Sequence, residues 1–217
     1  VDTDLVRALV GVLEAKDIST AAHTWRVVLY ARALAERLGA DREYLMRLTL
    51  AAALHDVGKV YVPDVVLLKP GPLDASERAV MERHTTMGWE HLRLMGESDP
   101  LVLELVRHHH ERIDGRGYPD RLAGSAIPVA ARYFAVVDSF DAMTSIRPYR
   151  SDVGAGAARR ALAELRGAVG TRYCAEAVEA FASLYEGGGI DWILDYYNDR
   201  CQVPPYEMLR DVERLEP

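Results

Sequence analysis

Lysine is nearly missing: Lys16, Lys59 and Lys69 are three of 26 basic residues, the rest being arginine. That bias fits a GC-rich genome or a thermophile without separating them. Cysteine is as scarce. Cys174 and Cys201 are too few for a disulfide framework and too isolated for a thiolate zinc site, so the chain reads as a protein of a reducing cytosol. A basic excess is lacking too, since 33 acidic residues against 26 basic give a formal charge of −7. This disfavours a dedicated binder of duplex nucleic acid, and any anionic ligand must be held by local cations, either metal ions or a few arginines. No apolar run approaches a membrane span; those such as Leu50 to Leu54 are far too short. No secretory leader precedes the first helical pattern, and a chain opening at Val1 reads as a fragment. Nothing alternates with period two long enough to make a sheet.

What is present is a globular composition, 49% apolar and 27% charged, with helical spacing throughout. Leu5, Leu9, Val12 and Leu13 recur at that spacing, as do Val27, Leu34 and Leu38 before a stop at Gly39. Tyr44 to Leu54 reads as a central buried helix ending near Gly58, followed by an extended connection marked by Pro63, Pro70, Gly71 and Pro72. Asp74 with Glu77 forms a capping box opening a helix that carries His84. Asp99-Pro100 opens another through Arg107. Asp114 to Pro128, with three glycines and two prolines, is irregular; Pro128 to about Thr144, Ala157 to Arg166 and Ala175 to Tyr185 are helical again. Gly187-Gly188-Gly189 reads as a linker to a tail whose Trp192, Tyr196 and Tyr197 pack back on the body. The expectation is an all-α fold, with one domain over 1–186 and a short C-terminal extension over 187–217.

The chemistry lies in the histidines: His23, His55, His84, His91, His108, His109 and His110. His55-Asp56 ends the most apolar helix, where ionisable groups are expensive unless paired or bound to metal. Alone, such a dipeptide is ordinarily a helix-end hydrogen bond. Here it sits between His23 and His84, with His109, His110 and Asp138 following on further helices. Ligands on several helices suit a bundle that points them inward, and they are too dispersed for a structural zinc module.

These residues carry a resemblance. His55-Asp56-Val57-Gly58-Lys59, then His109-His110-Glu111-Arg112-Ile113-Asp114-Gly115-Arg116-Gly117-Tyr118-Pro119, then Asp138 to Thr144, then Arg147-Pro148-Tyr149-Arg150 make the chain resemble the HD-GYP family of HD-domain metal-dependent phosphohydrolases, over roughly Asp17 to Phe181. The resemblance implies an HD-domain helical bundle that hydrolyses cyclic di-GMP to linear pGpG, then GMP, through a hydroxide bridging iron or manganese ions. It implies the metal ligands His23, His55, Asp56, His84, His109, His110 and Asp138, with Asp56 as the bridge. Members with a third metal carry a glutamate where this chain has Ser19, and Asp17 is wrongly spaced to replace it, so a dinuclear centre is expected. The same resemblance puts Lys59 on the scissile phosphate or leaving oxygen, and Arg147 and Arg150 on guanine or phosphate. Tyr118 and Asp141 are further expected substrate contacts.

Each has an ordinary alternative. Lys59 also suits a helix C-terminus, and the Asp114 to Pro119 loop also suits a brace for His109 and His110. His91 and His108 are expected outside the ligand set, Trp25 and Trp89 in the core or pocket wall, and Cys174 as a small buried hydrophobe. The alternatives in function are a slow cyclic-dinucleotide sensor, a phosphodiesterase for cyclic GMP-AMP, and a metal-stabilised docking scaffold. Expected partners are cyclic di-GMP, a GGDEF-type or regulatory domain and a second copy as a homodimer, without duplex nucleic acid or a membrane span, in the cytoplasm.

Overall fold

The apolar patterns become helices α1 (Thr3–Lys16), α2 (Ile18–Arg37) and α3 (Arg42–Leu54) in a computed structural model that describes residues 3–16, 18–145 and 155–196. A 3-10 turn over Val57–Tyr61 leads to α4 (Asp64–Leu67), α5 (Ala75–Glu82), α6 (His84–Leu94) and α7 (Pro100–His108). After the irregular segment come α8 (Val129–Thr144), α9 (Ala155–Gly167), α10 (Ala175–Glu186) and α11 (Asp191–Tyr196). Among the described residues no strand forms, so the fold is all-α. None of these helices is long and apolar enough to cross a membrane.

The starts follow local chemistry. Asp74 and Glu77 exchange capping-box hydrogen bonds at α5. Asp99 accepts from Leu101 N at 2.9 Å ahead of Pro100, and Pro128 opens α8. Two expectations shift. The buried stripe of α1 is Val6, Val10 and Leu13, while Val12 is 52% exposed. The expected helix carrying His84 is broken at Arg83, so that His84 opens α6 rather than riding inside α5.

Helix α2 packs against α3, α8 and α10, and α7 packs against α3 and α6. Where α2, α8 and α10 meet, Tyr30, Phe140 and Phe181 pack edge to face, with centroids 4.9–5.8 Å apart. The three glycines after α10 form a tight turn rather than a slack linker. Gly187, Gly188 and Gly189 donate back to the carbonyls of Ser183, Tyr185 and Leu184, and Ile190 and Ile193 are buried in the main core. Trp192 packs beside them; Tyr197 and Cys201 lie outside the described residues.

Arg47 on α3 grips the α7 cap with two 2.6 Å bonds to Asp99. Asp99→Ala is expected to cost about 1–1.5 kcal/mol, mostly the lost cap because the ion pair is screened by solvent. The Arg47 hydrogen bond holds the Asp99 carboxyl below its usual range. Its contribution is therefore whole near pH 6 and lost as pH falls through that lowered value. Urea melts of both proteins at pH 6 and in acid should differ at the first and converge in the second.

Candidate metal centre

Helix α3 stops at Leu54, and the next two residues turn inward: His55 caps the helix and Asp56 takes up φ −100°, ψ 6° before the 3-10 turn. Asp56 is 2% exposed, yet its Oδ1 accepts no hydrogen bond. Its Oδ2 lies 3.2 Å from His55 Nε2 and takes a bond from Lys59 Nζ. Its Oδ1 faces His84 Nε2 at 3.3 Å and His109 Nε2 at 3.8 Å.

The rings are fixed from behind. Nδ1 of His55 lies 2.7 Å from Ala52 O, that of His84 2.7 Å from Met81 O, and that of His109 3.0 Å from Val106 O. A carbonyl only accepts, so each Nδ1 carries a proton and each Nε2 is turned toward Asp56. His23 follows the same rule with a carboxylate: Nδ1 donates to Asp141 Oδ2 at 2.8 Å, and Nε2 faces Asp138 Oδ1 at 3.4 Å. Ligand atoms of Asp56, His84, His109 and His110 all lie within 4.8 Å of one another, as do those of His23, His55 and Asp56. The two groups share Asp56, and Asp138 joins through His23.

Charge suits a cation. Burial holds His109 and His110 below the usual imidazole range and takes His84 down to about 3, so all three are neutral near pH 7, the form a metal ion would need. Burial also acts on His55, but the charge and hydrogen bond of Asp56 outweigh it and raise that group. Burial works against the charge of Asp56, but the charge and hydrogen bond of His55 and the charge of Lys59 outweigh it and hold that carboxyl well below its usual range. A buried carboxylate with an unsatisfied oxygen amid aimed imidazoles is a strained arrangement for the protein alone and fits a divalent ion.

Tyr118 tilts over His110, with centroids 4.9 Å apart, at the edge of this centre. Its loop is tied down by Glu111, whose carboxylate accepts from the amides of Asp120 at 2.7 Å and Leu122 at 3.0 Å. A side chain at Gly117 would come 2.5 Å from the backbone of Arg112 and Glu111, which explains that glycine. Asp141 corrects an expectation. It is fully buried, accepts from Arg26, His23 and Ser145, and offers no face to a substrate. It positions His23 instead. Arg147 and Arg150 lie outside the described residues, as do Asp17 and the Ser19 side chain.

His91 stands apart from the cluster, paired with the Tyr61 hydroxyl at 2.5 Å. His108 faces Asp120 at 3.5 Å. Trp25 is buried, Trp89 lies between Arg93 and Arg107, and Cys174 is half-buried. Sequence reasoning missed Arg26, which forks Asp141, and Phe134, whose ring lies 4.9 Å from that of His55. A signal for Arg26 existed: His23 and Arg26 are three residues apart on α2, opposite Asp138 and Asp141, three apart on α8.

Comparison with known proteins agrees. The HD domain family matches residues 9–176. A cyclic di-GMP phosphodiesterase of Thermotoga maritima is 40% identical over 175 residues, covering 79% of this chain and 46% of that protein. A 3′3′-cGAMP-specific phosphodiesterase of Vibrio cholerae is 42% identical over 152 residues, covering 68% of this chain and 28% of its own length. The chain thus spans half or less of these relatives. A crystal structure of a cyclic GMP-AMP-specific phosphodiesterase from the same bacterium superposes with a TM-score of 0.66 at 17% identity, over 98% of this chain and 54% of that one, a likeness of fold. The chain belongs to the HD domain family, in its HD-GYP branch.

Proposed function

We propose that this domain is a phosphodiesterase that hydrolyses cyclic di-GMP to linear pGpG, and then to GMP, at a dinuclear iron or manganese centre held by His23, His55, Asp56, His84, His109, His110 and Asp138. The supporting observation is Asp56, shared between two histidine groups, with one buried oxygen that no protein hydrogen bond satisfies. Bound ions would acidify water and neutralise charge building on the phosphodiester. Lys59, part-exposed above Asp56, holds a cation where a phosphate oxygen or the departing 3′ oxygen needs one. Tyr118 borders the substrate, and Arg147 and Arg150 are proposed to grip guanine or phosphate. The catalytic unit is taken as 1–186 with 187–217 as its extension, in a cytoplasmic protein with room for a regulatory domain, a GGDEF-type partner or a second copy.

The relatives specific for 3′3′-cGAMP favour one second reading, the mixed dinucleotide as substrate. Protein loaded with Mn²⁺ or Fe²⁺ under anaerobic conditions should convert cyclic di-GMP to pGpG by chromatography. Cleavage of the mixed dinucleotide alone would select the second reading, and binding without product would select a sensor.

A further inference from the structure

A third group of donors lies outside the Asp56 centre, and the proposed activity does not use it. Ligand atoms of His108, Glu111 and Asp120 all lie within 4.8 Å of one another, and none of these residues belongs to the two groups that share Asp56. His108 Nδ1 is buried and has no hydrogen-bond partner. It stands 3.5 Å from Asp120 Oδ2 and 3.9 Å from Glu111 Oε1. Both gaps are longer than ordinary hydrogen bonds. A tetrahedral zinc ion with bonds of about 2.1 Å sets its donors about 3.4 Å apart, so the gaps approach the spacing that a shared ion imposes.

The protein holds these donors in place by itself. The amides of Asp120 and Leu122 fix the buried Glu111 carboxylate, and Arg107 forks Asp120 at 2.7 and 2.8 Å. Arg107 is braced in turn by the Trp89 ring, 4.7 Å away. Carboxylate oxygens keep further lone pairs beyond such bonds. Two carboxylates against one guanidinium leave the group net negative. Burial holds His108 below the usual imidazole range, so its ring is neutral near pH 7 and has a nitrogen to offer. Asp120 is exposed, which gives an ion a way in and a water a place to complete its shell.

We infer that His108, Glu111 and Asp120 form a second metal site, of the zinc class and separate from the Asp56 centre, that clamps the Tyr118 loop to the end of α7. One imidazole with two carboxylates suits Zn²⁺ better than Mg²⁺ or Ca²⁺, which favour oxygen alone, and Mn²⁺ stands lowest in the divalent affinity order. Mn²⁺ that fills the Asp56 centre therefore leaves this site empty. The position gives the clamp its consequence. His108 ends α7 just before His109 and His110, and Asp120 follows Tyr118, which tilts over His110, by two residues. An ion joining His108 to Asp120 fixes the loop against the edge of the centre without using its ligands. The inference requires no catalysis, so it stands or falls apart from the activity proposed above.

The test is the metal content of His108→Gln and Asp120→Asn beside wild type, each stripped, loaded with excess Zn²⁺ or Mn²⁺, desalted and analysed for elements. Each variant should hold one equivalent of Zn²⁺ fewer than wild type and the same Mn²⁺, whatever the number at the Asp56 centre. Zn²⁺ at about ten times its Kd should slow hydrogen exchange of the Asp120 and Leu122 amides about tenfold more in wild type than in either variant. Equal Zn²⁺ content in wild type and both variants overturns the inference. So does a deficit in Mn²⁺ as large as that in Zn²⁺, which would place the effect in the neighbouring His109 and His110. Should one variant fail to fold, the other decides.

Discussion

Asp56→Asn is expected to abolish the metal-linked part of this protein's behaviour while leaving the fold intact. Asparagine keeps the shape of aspartate but not its charge, and it cannot offer two anionic oxygens to two ions. Elemental analysis should therefore find metal content reduced at both histidine groups, because Asp56 belongs to each. Phosphodiesterase activity should fall at least about a thousandfold, since metal ions contribute several kcal/mol to transition-state charge stabilisation and each 1.4 kcal/mol is tenfold in rate. Stability separates this from simple misfolding. In metal-free wild type the interactions of Asp56 with His55 and Lys59 outweigh the cost of burying its charge, so replacing it by a neutral amide removes a net favourable contribution and leaves Lys59 without its partner. The stripped variant should therefore melt somewhat below stripped wild type while still unfolding cooperatively, and the response to metal is what separates ligation from misfolding. Metal at a hundred times its dissociation constant adds about 2.7 kcal/mol per site, or about 5–10 °C for a chain of this length. Calorimetry with and without Mn²⁺ should show that shift in wild type and not in the variant. A variant that kept the full metal-dependent shift would show that Asp56 does not hold the ions.

Much of the candidate centre was legible because several of the candidate ligand positions coincide with helix punctuation, although His23 and Asp138 lie within α2 and α8. His55-Asp56 follows the last residue of α3, His84 opens α6, and His109-His110 follows α7, so each set lies where backbone direction changes and side chains converge. Caps encoded within a few residues, at Asp74, Asp99 and Pro128, were legible for the same reason. What stayed hidden is non-local. Nothing between Ala75 and Leu94 announces a break, because Arg83 is an ordinary helix former and the interruption answers to packing elsewhere. Asp141 suggested a substrate contact because it shares a helix face with Asp138. Its actual partner, Arg26, stands 115 residues earlier in the chain. The stripe of α1 was legible in part: Leu13 is buried and Leu9 packs against the core as expected, but Val12 is exposed and Val6 and Val10 are buried, because adjacent apolar residues left two faces available. Local chemistry told where chain segments turn. Pairing between helices told what each turned residue faces.

The packing behind that hidden break supports a second large expectation, for Gly58→Ala. A Cβ at Gly58 would fall 1.8 Å from the carbonyl oxygen of His84 and 2.6 Å from the amide nitrogen of Gly88. Both are backbone atoms, so no rotamer change relieves the clash; the 3-10 turn and α6 must separate. Overpacking of this kind costs about 3 kcal/mol or more, which lowers the melting temperature by about 6–12 °C at this chain length. The contact also bears on the site. The turn carrying Gly58 follows Asp56 directly, and the atom it would strike belongs to His84, whose Nε2 lies 3.3 Å from Asp56 Oδ1. Separating the two backbones pulls these ligands apart, so metal affinity should fall along with stability. Gly11→Ala is the control: it is exposed within α1, with nothing within 4 Å of an added Cβ, and should stabilise by about 0.5–1 kcal/mol through helix propensity alone. A Gly58→Ala protein that melted early yet kept wild-type metal affinity would show that the Nδ1 bond to Met81 O holds His84 independently of the Gly58 contact. The two losses are expected together, because one close approach between backbones both joins α6 to the turn and sets the distance from His84 to Asp56.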